Sequence, residues 1–264
     1  MPRKKRLRLA LFGSGRIGQV HARNVAEHPD IDLVMIADPL IDGAQALATQ
    51  TGGQAVEDPE EVFADSSLDG VIIASPTPTH VDLLSRAAAR GLAVLCEKPI
   101  DLDMARFFIP DIVEVSAMGT NTFSEDIKAF GDFDSASITL RGRDGEIVSI
   151  TNSRHCVFGY DQRLEAFGST GMLSAGNLAE TVVRRYHSNG TEQAPPYLPF
   201  FLQRYAQAYR VELDAFAHAI RTGEPCSPSF EDGVAALVLA NAAAEAAASG
   251  TSVTVPKKDT LAPS

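Results

Sequence analysis

Residues 9–25 read LALFGSGRIGQVHARNV: an apolar run ending at Phe12, three glycines, and then a helical pattern. Gly13, Gly15 and Gly18 stand in the order G-x-G-x-x-G, with Arg16 and Ile17 between the last two, directly after an expected strand and at the start of an expected helix. That placement carries the motif's weight, because a glycine-rich turn without a ligand can show the same letters. In a dinucleotide site Gly13 permits the tight turn, Gly15 lets the backbone approach a diphosphate, and Gly18 lets helix and strand pack closely. The N–H groups of the helix start then attract the anion. A second feature agrees. Asp38 ends the next apolar run, LVMIAD, 20 residues after Gly18, where a carboxylate accepts hydrogen bonds from a ribose and repels a 2′-phosphate. The expected cofactor is therefore NAD rather than NADP.

Working outward, residues 7–98 alternate short apolar runs (LRLALFG, IDLVMIAD, LDGVIIAS, LAVLCE) with amphipathic stretches over 16–27, 42–51 and 80–90, and QAV at 54–56 reads as a further short strand. Strands that are apolar throughout, separated by helices, indicate an α/β fold with a doubly wound parallel sheet covered on both faces. SPTPTH (75–80) and CEKP (96–99) follow two of these strands at the edge where ligands bind in open parallel sheets. Ser75, Thr77, His80, Glu97 and Lys98 are therefore candidate cofactor contacts. Thr77 and Thr79 serve equally well as helix caps, and Glu97 with Lys98 as a surface ion pair.

After Pro99 the pattern changes to short strands joined at Asp144-Gly145, Ser169 to Gly171 and Asn189-Gly190, the turns of an antiparallel sheet. In residues 135–141, Ala136, Ile138 and Leu140 share one face while Ser135, Ser137 and Thr139 share the other. Two helices, Phe201 to Thr222 and Glu231 to Ser249, and a last short strand in TSVTV complete the chain. The expected division is 1–99 for nucleotide binding, 100–256 for an α+β substrate and oligomerisation domain with a mostly antiparallel open sheet, and 257–264 as a tail.

Composition narrows the partners. The 264 residues carry a net charge of −11 and are 45% hydrophobic, which suits a sizeable core and disfavours nucleic acid. The basic PRKKRLR start reads as a solvated lead into the first strand. No run has membrane length, no secretory signal precedes Gly13, and three unpaired-looking cysteines fit a reduced cytoplasm. Six scattered histidines without HxxxH, and cysteines without CxxC, give no expectation of a metal.

With G-x-G-x-x-G, SPTPTH and E-K-P in this order, the chain resembles the Gfo/Idh/MocA family of NAD(P)-dependent sugar and polyol dehydrogenases. EKPIDLD, DMARFF, NSRHCVFGYDQRLEAFGSTGML and RYAQAYRVELDAFAHAIRTGEPCSP look most like its inositol 2-dehydrogenases, and the likeness covers nearly the whole chain. The resemblance implies hydride transfer from a polyol CH–OH, as in myo-inositol, to NAD, usually in a homo-oligomer built across open sheets, a dimer or tetramer. It implies that Lys98 reaches the reacting hydroxyl, and that Tyr160 contacts substrate. His155 falls where relatives place substrate-facing residues, although a strand-end histidine is also a common surface residue. The family's Asp-x-x-x-His pair has no counterpart after E-K-P: EKPIDLD runs directly into MARFF, as though joined at Asp101-Leu102-Asp103. The only D-x-x-x-H here, Asp214 and His218, lies on the flank of a helix whose buried stripe is Leu213, Phe216, Ala217 and Ile220. Two readings stay open: a working polyol dehydrogenase, or a catalytically weak or inactive NAD-binding relative.

Overall fold

The computed structural model of the chain describes residues 5–97 and 101–256. In chain order the first elements are β1 (Leu7–Phe12), α1 (Arg16–Glu27), β2 (Ile31–Ala37), α2 (Ile41–Thr51), β3 (Gln54–Val56), α3 (Pro59–Ala64), β4 (Gly70–Ile73), α4 (His80–Ala89) and β5 (Ala93–Cys96). Then follow α5 (Asp101–Phe108), β6 (Ile112–Thr120), α6 (Glu125–Ala129), β7 (Ser135–Gly142), β8 (Ile147–Ser153), β9 (Leu164–Gly168), β10 (Gly171–Ala175), β11 (Arg185–His187) and β12 (Gly190–Gln193). The chain closes with α7 (Phe201–Arg204), α8 (Ala206–Thr222), α9 (Phe230–Ser249) and β13 (Val253–Thr254). It divides into two compact units, Met1–Glu97 with Phe201–Ser227, and Lys98–Phe200 with Pro228–Ser264.

The first unit is a five-stranded parallel sheet in the order β3-β2-β1-β4-β5. The order reverses between β1 and β4, so their C-terminal ends open the crevice in which such sheets bind ligands. The continuous apolar strands are explained by two covered faces: Leu9 and Leu11 of β1 enter one core, Ala10 and Phe12 the other. The first core also takes Leu213, Phe216 and Ala217 of α8, each at most 3% exposed. A helix late in the chain thus covers the nucleotide sheet, an allegiance that chain order alone does not suggest. The expected single helix from Phe201 is broken at Tyr205, so that α7 is one short turn.

The second unit holds a four-stranded antiparallel sheet in the order β13-β6-β7-β8. Leu140 and Ile138 of β7 face inward with Val115, Val148 and Ile150, and the alternating Ser137 and Thr139 face out. The three expected hairpin turns all join paired strands, but β9–β10 and β11–β12 each stand as separate two-stranded sheets rather than extending the four-stranded one. The segment after E-K-P forms α5, which lays Leu102 and Ala105 against Leu239, Ala242 and Ala243 of α9. Small alanines on α9 let the packed elements approach closely. Ser229 and Asp232 close a capping box at the start of α9, and Arg106 of α5 reaches the Asp232 carboxylate at 3.4 Å. No helix among the described residues is long and apolar enough to cross a membrane.

Candidate functional site

The turn from β1 to α1 is built as the glycine spacing requires. Gly13 has φ +98°, and a Cβ there would lie 2.7 Å from the Ala74 carbonyl oxygen and 2.8 Å from the Ser75 nitrogen. A Cβ at Gly18 would collide with the Gly13 carbonyl, so this position lets α1 sit down on the turn. Gly15 differs: it is the N-cap of α1, and a Cβ there would meet nothing within 4 Å. No side chain caps this helix start and no acid occupies its first turn. The leading N–H groups, with Arg16 exposed and Ile17 half-buried beside them, face the open side of Gly15 and form a cradle suited to an anion.

Asp38 lies beside this cradle. One carboxylate oxygen, Oδ2, accepts from the Ser14 backbone N–H and from the Ser14 hydroxyl, both at 2.7 Å, and Oδ1 accepts from the Leu40 N–H at 2.8 Å. Burial pushes this carboxyl up, but the two hydrogen bonds from Ser14 and the one from Leu40 outweigh it and hold the group below its ordinary range. Asp38 is thus an ionised acceptor, fixed in place by the Ser14 and Leu40 donors. These residues fit an NAD cofactor.

At the end of β4, the Ser75 hydroxyl shares a hydrogen bond of 2.6 Å with Thr79, whose own hydroxyl donates to the Pro76 carbonyl at 2.8 Å. The Thr79 side chain therefore does not cap α4, and Thr77 opens a single exposed 3-10 turn. His80 begins α4, its Nε2 donating to the Ser75 carbonyl at 2.7 Å, so that Nδ1 is left as an acceptor facing the Cys96 sulfur at 3.4 Å. Burial, helped by the nearby Glu97 charge, pushes the Cys96 thiol up to about 11 and keeps it protonated. The chain from Ser75 through His80 to Cys96 ties the two strand ends together.

Glu97 makes a contact that the sequence reading missed. Its Oε1 lies 2.6 Å from Nε2 of His21, which is fully buried on α1 and packs edge-on to Tyr209 at 5.5 Å. Glu212 of α8 brings a second carboxylate, and the three ligand-type atoms lie within 4.8 Å of one another. The 2.6 Å separation is that of a direct hydrogen bond. The available signal was positional: His21 shares the buried stripe of Gly18, Ala22 and Val25, where a polar residue requires a partner.

Lys98, assigned the reacting hydroxyl by resemblance, lies outside the described residues. His155 and Tyr160 belong to the second unit. His155 is exposed and stacks on Phe123 at 4.9 Å, while Tyr160 is half-buried with its N–H donating to the Leu198 carbonyl at 2.8 Å. Asp214 and His218 are not a pair: Asp214 meets His28 at 3.0 Å and His218 meets Glu224 at 3.1 Å.

Comparison with known proteins agrees with this geometry. Residues 7–109 match the family model described as the Gfo/Idh/MocA oxidoreductase family, NAD-binding Rossmann fold, and residues 95–255 match that family's C-terminal alpha/beta domain. A crystal structure of a myo-inositol dehydrogenase from Corynebacterium glutamicum superposes with a TM-score of 0.91 at 45% identity, covering 96% of this chain and 99% of the other. An inositol 2-dehydrogenase of Rhizobium meliloti is 31% identical over 322 aligned positions, 92% of this chain and 97% of the relative. A myo-inositol 2-dehydrogenase of Thermotoga maritima is 30% identical over 90% of this chain and 95% of the relative. The aligned length of 322 exceeds the 264 residues present, so the Rhizobium protein carries residues without a counterpart here. The two family models overlap on residues 95–109, where E-K-P and D-M-x-R stand side by side.

Proposed function

The chain belongs to the Gfo/Idh/MocA oxidoreductase family, and from that membership we propose that it is an NAD-dependent inositol dehydrogenase. The observation that carries the substrate class is the 45% identity, across nearly all of both chains, to the Corynebacterium myo-inositol dehydrogenase. NAD, when bound, accepts the hydride that leaves the carbinol carbon. The chain's own residues would hold the diphosphate at the α1 start and the ribose through Asp38. The reaction converts CH–OH to C=O and releases one proton from the hydroxyl. Lys98 is proposed to meet that hydroxyl, Ser75, Thr77, His80 and Glu97 are proposed as cofactor contacts, and Tyr160 and His155 as substrate contacts.

A second reading has its own support. The family's Asp-x-x-x-His pair is missing from the primary sequence, and Asp214 and His218 are engaged elsewhere. On this reading the chain binds NAD and turns over slowly or not at all. The exposed apolar side chains of β9 and β10, with Phe167 at 88% and Leu173 at 69%, support a homo-oligomer in which a second copy covers them. A cytoplasmic setting accords with three free cysteines.

Purified protein, NAD and myo-inositol, followed at the NADH absorbance band, separate the readings. A rate comparable to that of a full-length relative, abolished by Lys98→Ala, supports the dehydrogenase. NAD binding without turnover supports the inactive relative, and unchanged turnover in Lys98→Ala overturns the role given to that lysine.

A further inference from the structure

Asp38 owes its placement to two residues outside the ribose contact itself. Gly43 is the third residue of α2, and glycine inside a helix is less favourable than alanine by about 1 kcal/mol. Its φ is not positive, so backbone geometry does not call for glycine there. What the missing side chain keeps clear is specific: a Cβ at residue 43 would lie 2.6 Å from the Ser14 hydroxyl oxygen. That same hydroxyl donates to Oδ2 of Asp38 at 2.7 Å. The first x of the glycine motif, the first turn of α2 and the acidic residue after β2 are therefore one packed group.

We infer that Ser14 and Gly43 form a positioning pair that sets the preference for NAD over NADP. Gly43 makes room for the Ser14 hydroxyl, and the hydroxyl locks the Asp38 carboxylate in one orientation. The inference rests on the reading of the chain as an NAD-binding oxidoreductase. A carboxylate offers about four acceptor positions. Ser14 takes two on Oδ2 and the Leu40 N–H takes one on Oδ1, which leaves Oδ1 to receive a ribose hydroxyl. Because Oδ2 is held twice, the carboxylate does not swing aside for a 2′-phosphate, and its charge stays where the phosphate would be. Loosening Ser14 costs the ribose contact its geometry and relaxes the repulsion at the same time.

The test is the dissociation constant of NADH and of NADPH, by fluorescence titration, for the wild type, Ser14→Ala, Gly43→Ala and the double variant. Each single change is expected to raise the NADH constant about tenfold, the loss expected when one hydrogen bond to a charged group goes. The NADPH constant should hold steady or fall, so the preference narrows. In the double variant the alanine at 43 faces only the Cβ of residue 14, at 3.6 Å, an ordinary contact. The double variant should therefore bind like Ser14→Ala alone, which is the non-additivity expected of a coupled pair. A merely structural role would weaken both coenzymes alike and leave their ratio unmoved. Wild-type discrimination in Gly43→Ala, or a double variant that shows the product of the single effects, overturns the inference while leaving the cofactor assignment standing. Failure of the wild type to bind either coenzyme removes the functional reading itself, and the inference with it.

Discussion

Replacing Gly13 and Gly15 one at a time by alanine should separate the fold of the nucleotide turn from its ligand contact. At Gly13 the φ of +98° disfavours any Cβ, at roughly 1–2 kcal/mol for a left-handed residue. The methyl would also press on backbone atoms of Ala74 and Ser75 at 2.7–2.8 Å, and such overpacking adds about 1–3 kcal/mol. Gly13→Ala is therefore expected to lose about 2–5 kcal/mol of stability, a large share of the 5–15 kcal/mol usual for a domain. Gly15 has φ −65° and ψ −171°, a conformation alanine adopts, with open space before it. A small loss of N-cap quality there offsets a gain from the stiffer unfolded chain, so Gly15→Ala should stay within about 1 kcal/mol of the wild type. Its methyl nevertheless projects into the cradle, and a clash of about 1–3 kcal/mol with the diphosphate weakens NAD roughly ten- to a hundredfold. Urea unfolding followed by circular dichroism, and calorimetric titration of NAD, read the two effects. Wild-type NAD affinity in Gly15→Ala, or wild-type stability in Gly13→Ala, would refute the reasoning.

Three further outcomes follow from other parts of the molecule. Glu97→Ala leaves the fully buried His21 without its Nε2 acceptor and should lower stability by about 1–3 kcal/mol. His21→Leu combined with Glu97→Ala should recover most of that loss in the urea midpoint, since removing both partners of this hydrogen bond leaves neither of them unpaired; no recovery would show that the pair is not the source. Asp232 is held below its ordinary range first by the Ser229 N–H, with the Ser229 hydroxyl and Arg106 adding to this against burial. Because its folded pKa is depressed, its contribution is fully present above the unfolded value of about 3.9 and fades as pH falls through the lower folded value. Asp232→Asn should flatten the acid limb of a melting-temperature profile below about pH 4, and an unchanged limb would contradict that contribution.

Much of the first unit was legible because its signals are local. Strands that are apolar throughout mark a sheet covered on both faces, and the glycines at 13 and 18 each stand where a Cβ would strike neighbouring backbone. The allegiance of α8 was not legible. Leu213, Phe216 and Ala217 announce that the helix buries a stripe, but periodicity does not say against which sheet. His21 escaped for a related reason: a histidine inside an apolar stripe shows its meaning only when Glu97, 76 residues later, arrives beside it. Hairpin turns announced β9–β10 and β11–β12 correctly, yet turn chemistry fixes pairing between neighbours and is silent on whether a hairpin joins a larger sheet. The segment at Asp101 to Asp103, read as a junction between two matching stretches, also opens a helix whose Leu102 and Ala105 pack on α9, a partner the local sequence does not name.

Calorimetric titration of NAD into the wild-type chain and into Asp38→Ala bears on everything above. Saturable binding that is weakened by the substitution, with NADP gaining relative to NAD, is the expected result. No heat with the wild type, or equal affinity in both proteins, would contradict the assignment of this turn and its carboxylate to a dinucleotide.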